Sequence, residues 1–366
     1  MSTAENREFP WVAATARLGC MTTATSTLAQ PRLRLRTPAD ILAGTPYLFG
    51  FHPSDSLVAL GVRDKRLRFH MRDDLPDPGE DLDTLADGYG ALFARQDVDH
   101  VVLIGYGPPE RVETLIHATT AAMRRHGIAV HEMLWAHEGR YRSLICESPY
   151  CCPTEGQPYD VETSAVAATA TLIGMVALPD RAALVASLAA PTGPALDAAE
   201  RATRQTQTRL VHSPGTPAEG VASIDAALRR VRAGEGLTDE EVAWLAFLLH
   251  SLPLRDDAWL RIDRDLDTDL DLHDRLWTDV LRRCAPTFAA PAAMLVAYAS
   301  WRSGNGVRSR IALDRAFDAD PGYRAAKLMA EILDRGLSPQ SLPPIGRRDG
   351  RRPTPPRRRT TRRRRR

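Results

Sequence analysis

A mixed α/β sheet domain followed by an all-α region is the fold class this chain predicts. Three observations point to it. Between residues 32 and 156, strand-like apolar runs alternate with helix-period segments in the order β-β-α-β-α-β-β, the signature of a mixed sheet with helices on its faces. From about Val161 the strand signals fade and Ala-rich helical spacing takes over. After Leu337, Pro and Arg dominate and no apolar period recurs, which predicts disorder. The expected organisation is a disordered leader over 1–31, an α/β domain over 32–156, a helical region over 157–337 and a disordered basic tail over 338–366.

The elements follow in order. "TPADILAGTPYLFG" reads as a helix, with Thr37 as cap, Pro38 at the first helical position and Gly50 at the exit. "SLVALGV" and "RLRFHMR" read as strands joined by a turn at "RDK". "DLDTLADGYGALFARQ" has helical spacing through Leu82, Leu85 and Tyr89. "HVVLIGY" is apolar throughout, as a strand buried on both faces should be. "PPERVETLIHATTAAMRRHG" is a helix that starts with Pro, carries Glu in its first turn and Arg in its last, and stops at Gly127. "IAVHEMLWA" and "RYRSLICE" are two more strands turned at "HEG". In the helical region Thr238 and Glu241 form a capping-box pattern. Ser309, Leu313, Ala316 and Pro321 stand at the spacings of one tetratricopeptide-like helical pair, with no second copy.

Composition bounds the function classes. At 366 residues, 43% hydrophobic and 26% charged, the chain is long enough for two ordinary globular domains. Twelve Arg and one Asp give residues 347–366 a charge of +11 against +2 for the whole chain, so the remaining 346 residues carry −9. No apolar run approaches the ~18 residues of a membrane-spanning helix. The first thirty residues lack a basic start followed by a long apolar core, so they make a poor secretory signal. "ARLGC" only loosely suggests lipidation at Cys20, and Met21 offers a second start. The expectation is a cytoplasmic protein without structural disulfides and without membrane insertion.

Four segments, "GFHPSDSLV", "VVLIGYG", "CESPYCCPTEGQPYD" and "LDRAFDADPGYRAAKLM", occur in this order. Together they resemble an uncharacterised actinobacterial family known only as a domain of unknown function, over roughly residues 32–337. The resemblance implies no activity, substrate or cofactor, so the residues must be read on their own chemistry.

The loop of Phe51, His52, Pro53, Asp55 and Ser56 offers an imidazole, a carboxylate and hydroxyls. Neighbours on one short loop rarely converge as a catalytic triad. The simpler reading is a tight loop ahead of a strand, and the alternative is a ligand-contact loop. Cys146, Cys151 and Cys152 fall within seven positions in a chain with five cysteines. Their C-x₄-C-C spacing lacks the second pair of a structural zinc site, although His131 and His137 are near enough in sequence to contribute. Metal ligation, a reactive or redox thiol and plain loop structure are the three readings, and zinc is the one candidate cofactor. "IGYGPPE" lacks the third glycine of a dinucleotide fingerprint and sets Glu110 where an anion would sit. Asp263, Asp265, Asp267, Asp271 and Asp274 fall at calcium-loop positions, without the turn glycine or the final Glu. In the tail, Arg357, Arg358, Arg359, Arg362, Arg363, Arg364, Arg365 and Arg366 form a polyanion-binding run for nonspecific nucleic acid, with no aromatic to stack on bases.

The leading expectation is a binding or interaction module with an unknown protein partner or small ligand, using the Phe51–Ser56 and Cys146–Pro153 loops if they meet. The alternatives are a metal- or thiol-dependent enzyme built on the His52/Asp55 and cysteine loops, and nonspecific nucleic-acid association through the tail.

Overall fold

The computed structural model describes residues 12–14, 33–213 and 215–345. Its strands and helices run β1 (Val12–Ala14), β2 (Leu33–Leu35), α1 (Pro38–Phe49), β3 (Ser56–Arg63), β4 (Arg66–Asp74), α2 (Leu82–Ala94), β5 (His100–Tyr106), α3 (Pro109–Arg125), β6 (Ala129–His137), β7 (Arg140–Ser143) and β8 (Gln157–Pro158). Helices alone follow: α4 (Ala165–Leu172), α5 (Arg181–Ala186), α6 (Pro194–His212), α7 (Pro217–Arg232), α8 (Asp239–Leu248), α9 (Leu252–Arg264), α10 (Leu270–Arg283), α11 (Ala289–Arg302), α12 (Gly306–Ala319) and α13 (Arg324–Asp334). This is the predicted mixed sheet followed by a helical region.

Local chemistry explains the early elements. Thr37 and Asp40 form a reciprocal capping box on α1, and Gly50 ends it at φ 82°. Asp64 and Lys65, both at positive φ, make the two-residue turn between β3 and β4. The strands lie in the order β2-β1-β4-β3-β5-β6-β7-β8. β5 and β6 are parallel, joined by the α3 crossover, while β3–β4, β3–β5, β6–β7 and β7–β8 are antiparallel.

The sheet is apolar on both faces. Leu57, Ala59, Val101, Leu103, Met133 and Trp135 point to one side, against Tyr89 and Phe93 of α2 and Val112, Leu115 and Ile116 of α3. Val58, Leu60, Val102, Ile104, Leu134 and Ala136 point to the other and join α1 and the later helices in one continuous cluster. Gly105 is required where α3 crosses β5: a Cβ there would lie 2.1 Å from a Val112 methyl. That packing role accounts for the first glycine of "IGYGPPE".

Every residue of α11 is buried, as expected of a helix that is apolar all round. Its partner α12 returns after a short connection, with Ser309, Leu313 and Ala316 buried and the Ser309 hydroxyl donating to the Ala297 carbonyl at 2.8 Å. These are three of the residues that predicted a helical pair. The one charge at the end of α11, Arg302, meets the fully buried Asp263 of α9 through Nε (2.8 Å) and a terminal nitrogen (3.1 Å). The Tyr298 hydroxyl also donates to that carboxylate, at 2.7 Å.

Two stretches expected to be disordered carry structure. Val12–Ala14 pairs with Leu33–Leu35 on one side and β4 on the other. Ser338–Ile345 lies against the helices, where Arg302 donates to the carbonyls of Pro339 and Leu342, both at 2.9 Å. A buried guanidinium has more donors than one carboxylate can accept, and the backbone of this segment takes up the surplus. The rest of the expected leader, Cys20 and the arginines from Arg357 to Arg366 lie outside the described residues.

Two outcomes follow. Asp263→Ala leaves a buried guanidinium uncompensated and should cost about 3–5 kcal/mol. Asp263→Leu with Arg302→Met should recover most of that loss. Urea unfolding of the three proteins checks this, and a single-variant loss below about 1 kcal/mol contradicts it. His70 is half-buried with its ring 5.1 Å from Phe49, and burial lowers its pKa from 6.5 to about 4. Between these two values the unfolded chain takes up a proton that the folded chain resists. Stability should therefore fall as pH drops through that window, and His70→Phe should flatten the decline in urea midpoint measured against pH.

Candidate metal centre

The three clustered cysteines sit on a loop over residues 144–156, whose two ends are fastened to the same strand. β6 and β7 form a hairpin through Glu138 and Gly139, at φ 47° and 72°. β7 ends at Ser143. The Ser143 hydroxyl donates to Glu132 Oε1 at 2.7 Å and accepts from the backbone N–H groups of Ile145 and Cys146, both at 3.3 Å. One hydroxyl thus turns the chain and aims Cys146 inward. Cys152 N–H then donates to the Ser148 carbonyl at 2.8 Å, closing a tight turn around Pro149 and Tyr150. The far end returns along β7. Gln157 pairs with Tyr141, and its side-chain amide donates to the Cys151 carbonyl. Gly156 sits at φ 76°, and a Cβ there would lie 2.9 Å from the Tyr141 carbonyl oxygen, so only glycine allows this closure.

The Sγ atoms of Cys146, Cys151 and Cys152 all lie within 4.8 Å of one another. Cys146 and Cys151 are in S–H···S contact at 3.0 Å. Cys151 is exposed, and the other two are half-buried. A zinc–sulfur bond of ~2.3 Å puts tetrahedral thiolates ~3.8 Å apart. The three sulfurs therefore stand close to three corners of a thiolate tetrahedron, the Cys146–Cys151 edge opening by about 0.8 Å to receive the ion. Among the described residues no histidine or carboxylate belongs to this group, which leaves the fourth position to a ligand from outside it.

The thiols differ in their hold on the proton. The hydrogen bond from Cys146, followed by one involving Ser148, draws the Cys151 thiol below its ordinary range. Burial pushes the Cys152 thiol up to about 11. Burial also raises the neighbouring Tyr141 phenol, with the charges of Cys152 and Glu132 adding to the effect.

The model of the family described as Domain of unknown function (DUF4192) matches residues 38–340, more than four-fifths of the chain. The chain belongs to this family. No curated protein and no solved structure matches it. The matched span of this DUF4192 protein includes the whole cysteine loop and excludes the arginine run.

The other predicted sites fare differently in the DUF4192 fold. The Phe51–Ser56 loop lies at the start of β3, and two strands, β5 and β6, stand between β3 and β7. At ~4.8 Å per strand that is a separation of about 14 Å, and among the described residues no hydrogen bond or ion pair joins the two loops. The loop itself is held structurally: His52 N–H donates to the Leu178 carbonyl at 3.0 Å, and the Asp55 carbonyl accepts from Leu75 N–H at 2.9 Å. Phe51 and Pro53 are buried, Asp55 is exposed at φ 41°, and the Ser56 hydroxyl is buried without a hydrogen-bond partner among the described residues. His52, Asp55 and Ser56 form no triad.

His131 and His137 do not reach the sulfurs. Neither ring nitrogen joins the group of sulfurs; the His131 ring packs 6.1 Å from His100, and that of His137 6.4 Å from Trp135. Of the aspartates at calcium-loop spacing, Asp263, Asp265 and Asp274 are engaged by Arg302, His273 and Arg308. The sequence reading missed Glu132 and Ser143, which support Cys146. The available signal was a lone carboxylate inside the apolar strand "IAVHEMLWA".

Native thiol labelling in the presence of a chelator should modify Cys151 first. Cys284, buried and pushed up to about 12 by that burial, should react only on unfolding. Equal labelling rates for the two would contradict an exposed Cys151 and a buried Cys284.

Proposed function

We propose that this DUF4192 protein is a cytoplasmic binding module whose loop of Cys146, Cys151 and Cys152 holds one thiophilic divalent cation, zinc fitting best. The observation that carries the reading is the convergence of three Sγ atoms within 4.8 Å from a single seven-residue stretch. Thiolates suit zinc, because borderline-soft cations favour sulfur and zinc imposes no geometry beyond the tetrahedron. Hard cations such as calcium and magnesium want oxygen ligands, which the group lacks.

The cation would clip the loop to the sheet edge, replacing weak S–H contacts with metal–sulfur bonds. Ser143 and the buried Glu132 would act behind the ligand, fixing the backbone of Cys146 as outer-shell groups do at metal sites. The clipped turn presents Tyr150, which is 98% exposed, and an exposed aromatic on a rigid loop suits contact with a partner. Free thiols at all four described cysteines fit a reducing compartment. No helix among the described residues is long and apolar enough to cross a membrane.

Metal analysis of freshly purified full-length protein tests the reading. About one zinc per chain is expected, lost in Cys151→Ser and in Cys152→Ser. Cobalt substitution should give thiolate-to-metal charge-transfer absorption. Protein that is metal-free and takes up neither ion overturns the proposal. Because the Cys152 thiol must give up a proton held to about pH 11, apparent affinity should rise with pH, by about tenfold per pH unit for each proton displaced. Competition titrations between pH 6 and 8 measure that slope.

A further inference from the structure

We infer that Cys151 is an oxidative modification site for hydroperoxides and that Cys146 is its resolving thiol. The three sulfurs stand in an order that favours this pairing. Cys146 and Cys151 are already in contact at 3.0 Å, so a disulfide between them needs about 1 Å of further approach to reach the ~2.05 Å bond. Cys151 is the exposed member, open to a reagent from solvent, and Cys146 is half-buried beneath it. Cys151 and Cys152 are disfavoured as a pair because they are adjacent. Across a trans peptide their Cα atoms stand ~3.8 Å apart, inside the ~4.4 Å lower limit for ordinary disulfides.

The loop can close without disturbing the sheet. Its ends are tied to β7 by the Ser143 hydroxyl and by the Gln157–Tyr141 pairing, and both cysteines lie between those ties. The Cys146–Cys151 ring would enclose Glu147, Ser148, Pro149 and Tyr150. It would lock the turn already closed by Cys152 N–H on the Ser148 carbonyl.

The chemistry balances in two steps. The Cys151 sulfur attacks the terminal oxygen of the hydroperoxide. The S–O bond forms, the O–O bond breaks, and the leaving alkoxide takes the thiol proton to depart as an alcohol, or as water when the oxidant is hydrogen peroxide. Cys151 is then a sulfenic acid. The Cys146 sulfur attacks Cys151, the S–S bond forms, the S–O bond breaks, and water leaves carrying the Cys146 proton. The two thiols have lost two electrons and the peroxide has gained them. The disulfide would take two of three ligands from a bound cation, so oxidation should also expel zinc. That last consequence rests on the metal reading above, whereas the disulfide rests on the sulfur geometry alone.

The test uses reduced, chelator-treated full-length protein with stoichiometric hydrogen peroxide. Intact mass should fall by two hydrogens. Cleavage after Glu147 separates Cys146 from Cys151 and Cys152, and should yield the two peptides joined by a reducible link. Cys152→Ser should form the same link. Cys146→Ser should abolish it and leave a sulfenic acid at Cys151 that dimedone traps. A link that survives in Cys151→Ser, or thiols that stay reduced, overturns the inference. Zinc-loaded protein with a chromogenic chelator gives the second arm, with release expected in step with the disulfide. Protein that never takes up zinc yet forms the disulfide overturns the metal reading and upholds this one. Protein that binds zinc but forms no disulfide, loaded or stripped, does the reverse.

Discussion

Three strands with apolar side chains on both faces set the terms for everything else in this molecule. β3, β5 and β6 alternate their side chains above and below the sheet, and most of them are buried. Exposing either face would put hundreds of square ångströms of apolar surface in water, at roughly 25 cal/mol per Å². α2 and α3, interleaved with the strands, cover one face. For the other face the chain ahead of β3 offers only α1, so the chain beyond residue 160 must supply the rest of the cover. The sheet and the helical region consequently share one continuous core.

The helical cover is organised around α11, which no side of the molecule leaves to solvent. A helix so placed tolerates one charge only if that charge is fully partnered. Arg302 meets the requirement with Asp263, Tyr298 and the carbonyls of the segment that follows α13. The same arrangement explains why ordered contacts run on past residue 337, where composition points to disorder. The Pro-rich segment forms one short 3-10 turn, Pro339–Ser341, and is held through its backbone, by the carbonyls that Arg302 meets and by Ile345 N–H on Asp263.

The candidate centre depends on the sheet in a simpler way. A hairpin and a two-residue strand bring residues 143 and 157 to the same edge, and the loop between them has little freedom left. Its cysteines converge because Ser143 turns the chain at one end and Gly156 permits a close return at the other. The Phe51–Ser56 loop joins α1 to β3, and its backbone is held by Leu178 and Leu75. Two strands separate it from the thiols, so His52 and Asp55 stand apart from the thiol loop.

The sequence by itself determined the class of fold, the order of the main elements and the identity of the three thiols. Those are local matters: caps such as Thr37, turns such as Asp64–Lys65, the period of apolar residues, and cysteines crowded into seven positions. It could not decide what each candidate side chain contacts. The five aspartates at calcium-loop spacing look alike in sequence, and only the fold shows Asp263 turned to Arg302 and Asp274 to Arg308. Nor could it decide which loops meet, because strand order is a non-local property and one intervening strand pair is enough to keep the loops apart. The tertiary structure alone decided that three sulfurs face one point, and the reason is physical. Convergence depends on backbone direction at Ser143 and Gly156, set by hydrogen bonds to Glu132 and close passage by Tyr141, which no spacing of cysteines records.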